Sequence, residues 1–537
     1  MNGTMMQFPL TLTPLLERAG KLFPRSEIVS RLPDKSIHRY TYADFYRRAR
    51  ALAGALDRAG LKRGDRVATL MWNSYAHLEA YFGIPVAGGV LHTLNLRLHP
   101  RELAFIINHA EDRVLLVDDV LLPVYEKVKD HTSIERVIVV RHCGQPLPDG
   151  TTSYEDFLTT APESYSFPAL EESEAAAMCY TSGTTGNPKG VVYTHRSLVL
   201  HSLASGLPDA LGLSQRDVVL PIVPMFHANA WGIPFTATAM GAKQVYPGPN
   251  LDAVSVLDLF EQEQVTFSGG VPTVWLGVLE ALEQNPTRWK LVPGLRMPVG
   301  GSAPPESMIR RLDRFNLRLV HAYGLTETSP LATTCHLMPQ MSDWTDDEKL
   351  AVRCRQGRPV PYVEMRLIND AGEAPWDGKT LGEIQLRGPW VASSYYNLPA
   401  ERDKWTPDGW FRTGDVASID SNGYVKISDR TKDLIKSGGE WISSVDLENA
   451  IMGHPQVMEA AVIAVPDPKW QERPLAIVVP RAGQAPTPDE LRGFLEHKFA
   501  KWQIPQDFVF VESIPHTATG KMLKTALRDR FRSAPSS

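Results

Sequence analysis

Short aliphatic runs alternate with helical patterns over the first two thirds of the chain. Residues 66–72 read as a strand and 77–87 as a mostly apolar helix. The runs 113–118 and 136–140 each begin at a charge and continue aliphatic, and 218–223 and 265–269 are similar. Alternation of this kind predicts α/β architecture, with parallel-type sheets covered by helices. The pattern changes after about Gly357. Residues 363–368 and 382–387 alternate as half-buried strands do. Residues 410–427 read as strand, turn, strand, with Asn422-Gly423 a strong hairpin signal. A small β-barrel or distorted sheet is expected over about 357–430.

A second change falls near Arg430. Residues 429–436 are charged, and Ser437-Gly438-Gly439 suits a hinge or linker. Beyond it, Ser443-x-x-Asp446 predicts a helix start running to about Met452. Residues 460–465 and 475–479 read as strands. Thr487-Pro488-Asp489-Glu490 is a complete helix start, with a cap, a proline at the first helical position and a glutamate at the third. The expected division is a large N-terminal domain, 1–430, and a small mixed α+β C-terminal domain, 431–537. Residues 342–355 read as a charged, solvated helix.

Composition narrows the function classes. The 537 residues are 43 % hydrophobic and 22 % charged, with a formal net charge of -5. That balance suits an ordinary globular protein and disfavours nucleic acid as a partner. The four cysteines, Cys143, Cys179, Cys335 and Cys354, are far apart and show no C-x-x-C spacing. A cytoplasmic location follows as the expectation. Neither a signal peptide nor an apolar run of about 18 residues is present, so no transmembrane segment is expected. Peripheral membrane contact and a homodimer are left open.

The densest chemical signal is Thr181-Ser182-Gly183-Thr184-Thr185-Gly186-Asn187-Pro188-Lys189-Gly190, directly after the apolar run 175–180. Its glycines allow close backbone approach to an anion, its hydroxyls add donors, and Lys189 supplies a mobile positive charge. These features describe a triphosphate loop. It is not a Walker A loop, because Gly190 rather than Ser or Thr follows Lys189. Four further motifs follow in order: Tyr323-Gly324-Leu325-Thr326-Glu327, Thr413-Gly414-Asp415, Asp429-Arg430-x-Lys432-Asp433 and Thr519-Gly520-Lys521.

Together the five motifs resemble those of the adenylate-forming (ANL) superfamily, which includes acyl-CoA synthetases, luciferases and nonribosomal adenylation domains. The resemblance spans essentially the whole chain. It implies a large N-terminal domain with a mobile C-terminal lid, ATP and coenzyme A as co-substrates, and Mg²⁺. On chemistry alone, Tyr323 offers a ring for adenine, Thr326 a donor for the α-phosphate and Glu327 a carboxylate for Mg²⁺. Asp415 can accept both ribose hydroxyls, and Arg430 can bind ribose or phosphate. Lys521 would reach the substrate carboxylate and α-phosphate as pyrophosphate leaves. The resemblance further implies that His227 lies between the acyl and thioester sites, that Lys432 is the pivot, and that Lys436, Gly438 and Trp441 face coenzyme A. Gly300, Gly301 and Ser302 end a strand whose backbone would line the acyl pocket or contact adenine. Where the superfamily usually shows Lys or Arg, this chain has His516.

Trp231, in the apolar segment from Met225 to Phe235, resembles a tryptophan that gates the tunnel of medium- and long-chain fatty acyl-CoA synthetases. No cation is present in that segment to hold a second carboxylate. The implied activity is ATP-dependent activation of a fatty acid and transfer to coenzyme A, an acid–thiol ligase reaction releasing AMP and pyrophosphate. A short or thioether acid such as 3-methylmercaptopropionate is the alternative substrate. An amino-acid adenylation domain is a further alternative, although His227-Ala228-Asn229 follows Phe226 where such domains usually place an Asp. A luciferase-like oxygenase is the other.

Overall fold

The computed structural model describes residues 1, 3–181, 187–430, 433–437, 440–467, 470–517 and 522–531. The first layer is a seven-stranded sheet in the order Thr152–Ser153, Arg136–Val140, Asp112–Asp118, Arg66–Leu70, Val90–Thr93, Ala175–Tyr180, Gly190–Thr194. All its pairings are parallel except the last, which is antiparallel. The stretch 181–189 therefore joins two adjacent strands of one sheet. Tyr75–Val86 is the apolar helix expected from the sequence, and every residue from Ala76 to Val86 is buried.

A second sheet system is less regular than its hydrophobic runs predict. Val218–Val219 is a strand of two residues, and 265–269 forms no continuous strand. Phe267 alone makes parallel bridges to Val219 and Arg296. It thereby links one four-stranded sheet, ending in Val218–Val219, to another that begins at Arg296–Val299. Arg318–Gly324 is the second strand of that other sheet and carries Tyr323 at its end.

Residues 357–430 contribute a five-stranded antiparallel sheet in the order Gly372–Glu373, Glu364–Asn369, Gly382–Arg387, Phe411–Ile419, Val425–Arg430. Register shifts near Glu383 and Val416 distort it. The second shift lies beside Asp415. The sheet's last strand ends at Arg430, and the next strand, Ile435–Ser437, belongs to the C-terminal sheet. Sheet membership thus changes within the charged segment around Lys432, which itself lies outside the described residues.

In the C-terminal part, Val457–Asp467 and Gln471–Pro480 form a long antiparallel pair, and Ile435–Ser437 and Asp507–Phe510 both bond to Gln471–Pro480. Ser443 caps Ser444–Met452 by accepting from the Asp446 N–H. Thr487 and Glu490 form a reciprocal capping box on Pro488–Glu496. Such boxes satisfy two otherwise orphaned N–H groups. Another box, Thr345 with Glu348, starts the helix Asp346–Arg353, which is buried only at Leu350 and Val352.

Candidate active site

Two cavities meet at Tyr323. The first, about 400 Å³, is lined by Thr181, Lys189, Thr326, Glu327 and Tyr395 at one end and by Val223, His227, Trp231, Val274 and Gly300 at the other. The second, about 490 Å³, lies between the N- and C-terminal parts. The two share Gly301, Tyr323, Gly324, Leu325 and Arg430 as a wall. Asp415 and Ser302 face the second cavity. Of the two roles the sequence leaves open for the 300–302 backbone, the structure puts Gly300 on the Trp231 side and Ser302 on the Asp415 side.

The phosphate end is built from the neck of the glycine-rich loop. The Thr181 N–H donates to the Lys189 carbonyl at 2.9 Å, and the Lys189 N–H donates to the Thr181 hydroxyl at 3.1 Å. Ser182, Gly183, Thr184, Thr185 and Gly186 lie outside the described residues. The Lys189 ammonium pairs with Glu401 at 2.6 Å and stands 5.2 Å from the centre of the Tyr395 ring. Tyr395 in turn donates to Glu327 at 2.5 Å. Burial and the Glu327 charge push the Tyr395 phenol far above its usual range, so it stays a neutral donor. No linear motif announces Tyr395 or Glu401, which come from a connecting segment far along the chain.

Glu327 is buried beside Thr326 on this wall. Among the described residues no group of three or more His, Cys, Asp or Glu could cage a metal alone. A single carboxylate on the cavity wall suits Mg²⁺, which is commonly held by one or two carboxylates together with substrate phosphates and water.

At the nucleoside end, Tyr323 donates to Asp415 at 2.6 Å and the Arg430 guanidinium approaches the other Asp415 oxygen at 3.3 Å. The Asp415 charge holds the Arg430 pKa above its ordinary value. Asp429 is buried one residue earlier. It accepts from the Ser444 N–H at 2.9 Å, and Lys524 bonds both the Ser444 hydroxyl and, at 2.7 Å, Glu448. This network joins the last strand of the N-terminal part to two C-terminal helices.

The apolar end is made by a strained turn. Ala228, Asn229, Ala230 and Trp231 have φ of 43°, 50°, 49° and 57°. Left-handed backbone costs a non-glycine residue about 1–2 kcal/mol, so the surroundings must hold this conformation. Asn73 accepts from the Met225 N–H at 2.8 Å and donates to the carbonyls of Pro221 and Val223 at 3.0 and 2.9 Å. Cys179 donates to Asn229 at 3.3 Å. Gly232 closes the turn at φ 69°, where a Cβ would stand 2.6 Å from the His201 ring. Burial pushes His201 down to about 3, so this ring is neutral. Trp231 packs over Gly300, where a Cβ would come within 3.3 Å of the indole.

Other expected site residues divide. His227 lines the first cavity. Thr517 and Met522, the described residues that bracket Lys521 in sequence, line the second. Lys436 and Trp441 are cross-strand partners on a short ribbon, and the Lys436 N–H donates to Glu472 at 2.8 Å; among the described residues Lys436 lines neither cavity. Lys521, Lys432, Gly438 and the Trp441 side chain lie outside what is described. One expectation changes: although the segment around Trp231 contains no cation, Arg97 reaches the first cavity from elsewhere and stands 6.0 Å from the Phe226 ring centre.

A slot for an apolar acid opening onto groups suited to phosphate and ribose defines an adenylate-forming enzyme. Residues 16–396 match the AMP-binding enzyme family and residues 446–521 its C-terminal domain. The chain belongs to this family. It is 53 % identical over 533 residues to the long-chain-fatty-acid–CoA ligase of Thermus thermophilus, covering 99 % of this chain and 97 % of that one. It is 44 % identical over 538 residues to the 3-methylmercaptopropionyl-CoA ligase of Ruegeria pomeroyi, covering 99 % of both. The solved structure of ATP-bound MatB from Rhodopseudomonas palustris superimposes with a TM-score of 0.81 at 25 % identity, covering 98 % of this chain and 99 % of that chain.

Proposed function

We propose that this protein is an AMP-forming acyl-CoA synthetase acting on medium- to long-chain fatty acids. The observation that carries the reading is the continuity of one cavity from Lys189, Thr326 and Glu327 to the slot beside Trp231. The substrate carboxylate attacks the α-phosphorus of ATP from the apolar end. The α–β phosphoanhydride bond breaks, and pyrophosphate leaves with its electron pair. Thr326 donates to the α-phosphate, Lys189 meets the outer phosphates after exchanging Glu401 for them, and Tyr323 with Asp415 and Arg430 seats the nucleoside. Mg²⁺ at Glu327 would neutralise phosphate charge as pyrophosphate departs. Lys521 supplies a further positive charge to this step. In the second step the coenzyme A sulfur, having lost its proton, attacks the acyl carbon and AMP leaves.

Both steps use one carbonyl, so the C-terminal domain must turn between them, and Lys432 is the proposed pivot. Lys436, Gly438 and Trp441 would then face coenzyme A. No helix among the described residues is long and apolar enough to cross a membrane. All four cysteines are free thiols, which suits the cytoplasm, where we place the reaction.

The test separates the half-reactions. Pyrophosphate release without coenzyme A should occur with straight-chain acids, and thioester should appear when coenzyme A is added. Lys521→Ala should lose about 10²–10³ in the first step and keep thioester formation from supplied acyl-adenylate. Equal loss in both steps would contradict the role given to Lys521. Because Arg97 lines the cavity, dicarboxylic acids belong in the panel. A preference for a diacid, or an optimum at acetate, would overturn the fatty-acid reading and leave the adenylation chemistry standing.

A further inference from the structure

The described residues on the two sides of Lys521 are paired with each other. His516 and Met522 make an antiparallel bridge, and the Leu523 N–H donates to the Pro515 carbonyl at 2.8 Å. A side-chain contact ties this pairing to the domain: the His516 Nε2 lies 2.7 Å from Glu459 Oε1 on the strand Val457–Asp467. Both side chains are half-buried, at 26 % and 15 % exposure, on the wall of the cavity that also holds Tyr323, Asp415 and Arg430. An imidazole that can lose its charge therefore ties the strand Val457–Asp467 to the paired residues on the two sides of Lys521.

We infer that His516 is a positioning residue for the adenylation step, its ion pair with Glu459 holding the paired residues between which Lys521 lies in the sequence. This rests on the reading of Lys521 given above. The other charged groups around the same cavity are paired elsewhere. Lys524 on the last helix meets Glu448 on Ser444–Met452 at 2.7 Å. Arg528, on the same last helix, meets Asp433 at 2.5 Å. Arg481, after the strand Gln471–Pro480, meets Glu280 on Pro272–Gln284 at 3.3 Å. On the N-terminal side, Arg311 is engaged by Glu283, and Asp415 and Arg430 by each other. Among the described residues this leaves Glu459 as the charge that His516 meets.

The sign follows from that partner. The Glu459 hydrogen bond raises the His516 pKa above its ordinary value near 6.5, with burial opposing. The charged pair is thus complete below that ordinary value and is lost as pH rises through the raised one. Adenylation should decline over the same window, whereas thioester formation from supplied acyl-adenylate, which does not use Lys521, should not.

The experiment measures single-turnover pyrophosphate release, without coenzyme A, from about pH 6 to about pH 9 in the intact chain, in H516Q, in H516R and in E459Q. The parent should fall about fivefold across the window, the scale of one partly exposed ion pair. H516Q should sit at the lower level throughout. H516R, a permanent cation, should stay near the upper level across the range, and E459Q, which removes the other member of the pair, should sit at the lower level throughout, as H516Q does. Thioester formation from supplied acyl-adenylate should be alike in all four. Superimposable profiles of H516Q and the parent would overturn the inference, as would equal losses in both half-reactions. Lys521→Ala keeps the two readings apart: if it abolishes adenylation while H516Q follows the parent, His516 alone is misassigned, and if it leaves adenylation intact, the role of Lys521 fails first.

Discussion

Tyr323 donates its phenol hydrogen to Asp415 at 2.6 Å, so the ring proposed for adenine and the carboxylate proposed for ribose form one unit. Asp415 is 5 % exposed, and its second oxygen faces Arg430. Hydrogen bonds to charged groups contribute about 1.5–3 kcal/mol, and a buried acceptor that loses its donor bears a desolvation cost. Tyr323→Phe keeps the ring and removes the bond. The expected outcome is a KM for ATP raised about tenfold with a much smaller change in kcat. Steady-state kinetics at saturating acid checks it, and an unchanged KM would show that Asp415 is held by Arg430 alone.

Lys189 and Glu401 give the opposite expectation. Their 2.6 Å ion pair must open before Lys189 can meet a phosphate. Partly exposed pairs of this kind contribute about 0.2–1 kcal/mol, so Glu401→Gln should leave the unfolding midpoint nearly unchanged. The same substitution should lower the KM for ATP by a factor of about three, within the scale of such a pair. An increase in KM would mean that Glu401 orients the lysine instead of competing for it.

These two contacts also mark what the sequence can and cannot show. The Thr487–Glu490 box, the 410–427 hairpin and the change of pattern near Arg430 are local signals, and local geometry realises them. The five motifs are legible because each packs several functional groups into a few neighbouring residues. Tyr395, Glu401, Asn73 and Arg97 carry no such signal, since each reaches the site from a distant part of the chain. The left-handed turn at 228–231 was not legible either. Asn73 holds the segment just before it, and Cys179 bonds Asn229 within it, from 150 and 50 residues away. The run 265–269 reads as a strand by composition, yet one residue of it, Phe267, makes the bridges.

The buried pair Glu448–Lys524 within the C-terminal part predicts a pH effect on stability. Glu448 is buried against Lys524, and burial pushes its carboxyl up to about 7. Between its ordinary value near 4.5 and about 7, the unfolded chain ionises while the folded chain keeps the proton. The folded state then binds more protons, so this group's contribution to stability falls as pH rises through that window and levels above it. Glu448→Gln removes the titration. The difference in Tm between variant and parent should therefore change in the variant's favour from about pH 4.5 to about pH 7. A constant difference across that range would show that the Lys524 charge keeps Glu448 ionised throughout.

Trp231 lines the first cavity, and as the proposed end of the acyl slot it would set how far an acyl chain can extend. Its indole lies against Gly300 so closely that a Cβ there would come within 3.3 Å of the ring and 3.3 Å of the Ala322 carbonyl. The left-handed turn from Ala228 and the packing of His201 beneath Gly232 hold the ring from the other side. Trp231→Ala removes a large planar wall from the slot while leaving Lys189, Thr326 and Glu327 untouched. Each methylene that gains a contact contributes up to about 0.8 kcal/mol, so room for two more carbons is worth about tenfold in binding. The ratio of kcat/KM for a C16 acid to that for a C8 acid should rise by about that factor in Trp231→Ala. Gly300→Ala should do the reverse, because the added methyl pushes the indole into the slot, and the same ratio should fall. The two variants measured on one series of straight-chain acids make the test specific. If both ratios equal the parent's, Trp231 is a packed core aromatic and the end of the acyl site lies elsewhere in the cavity.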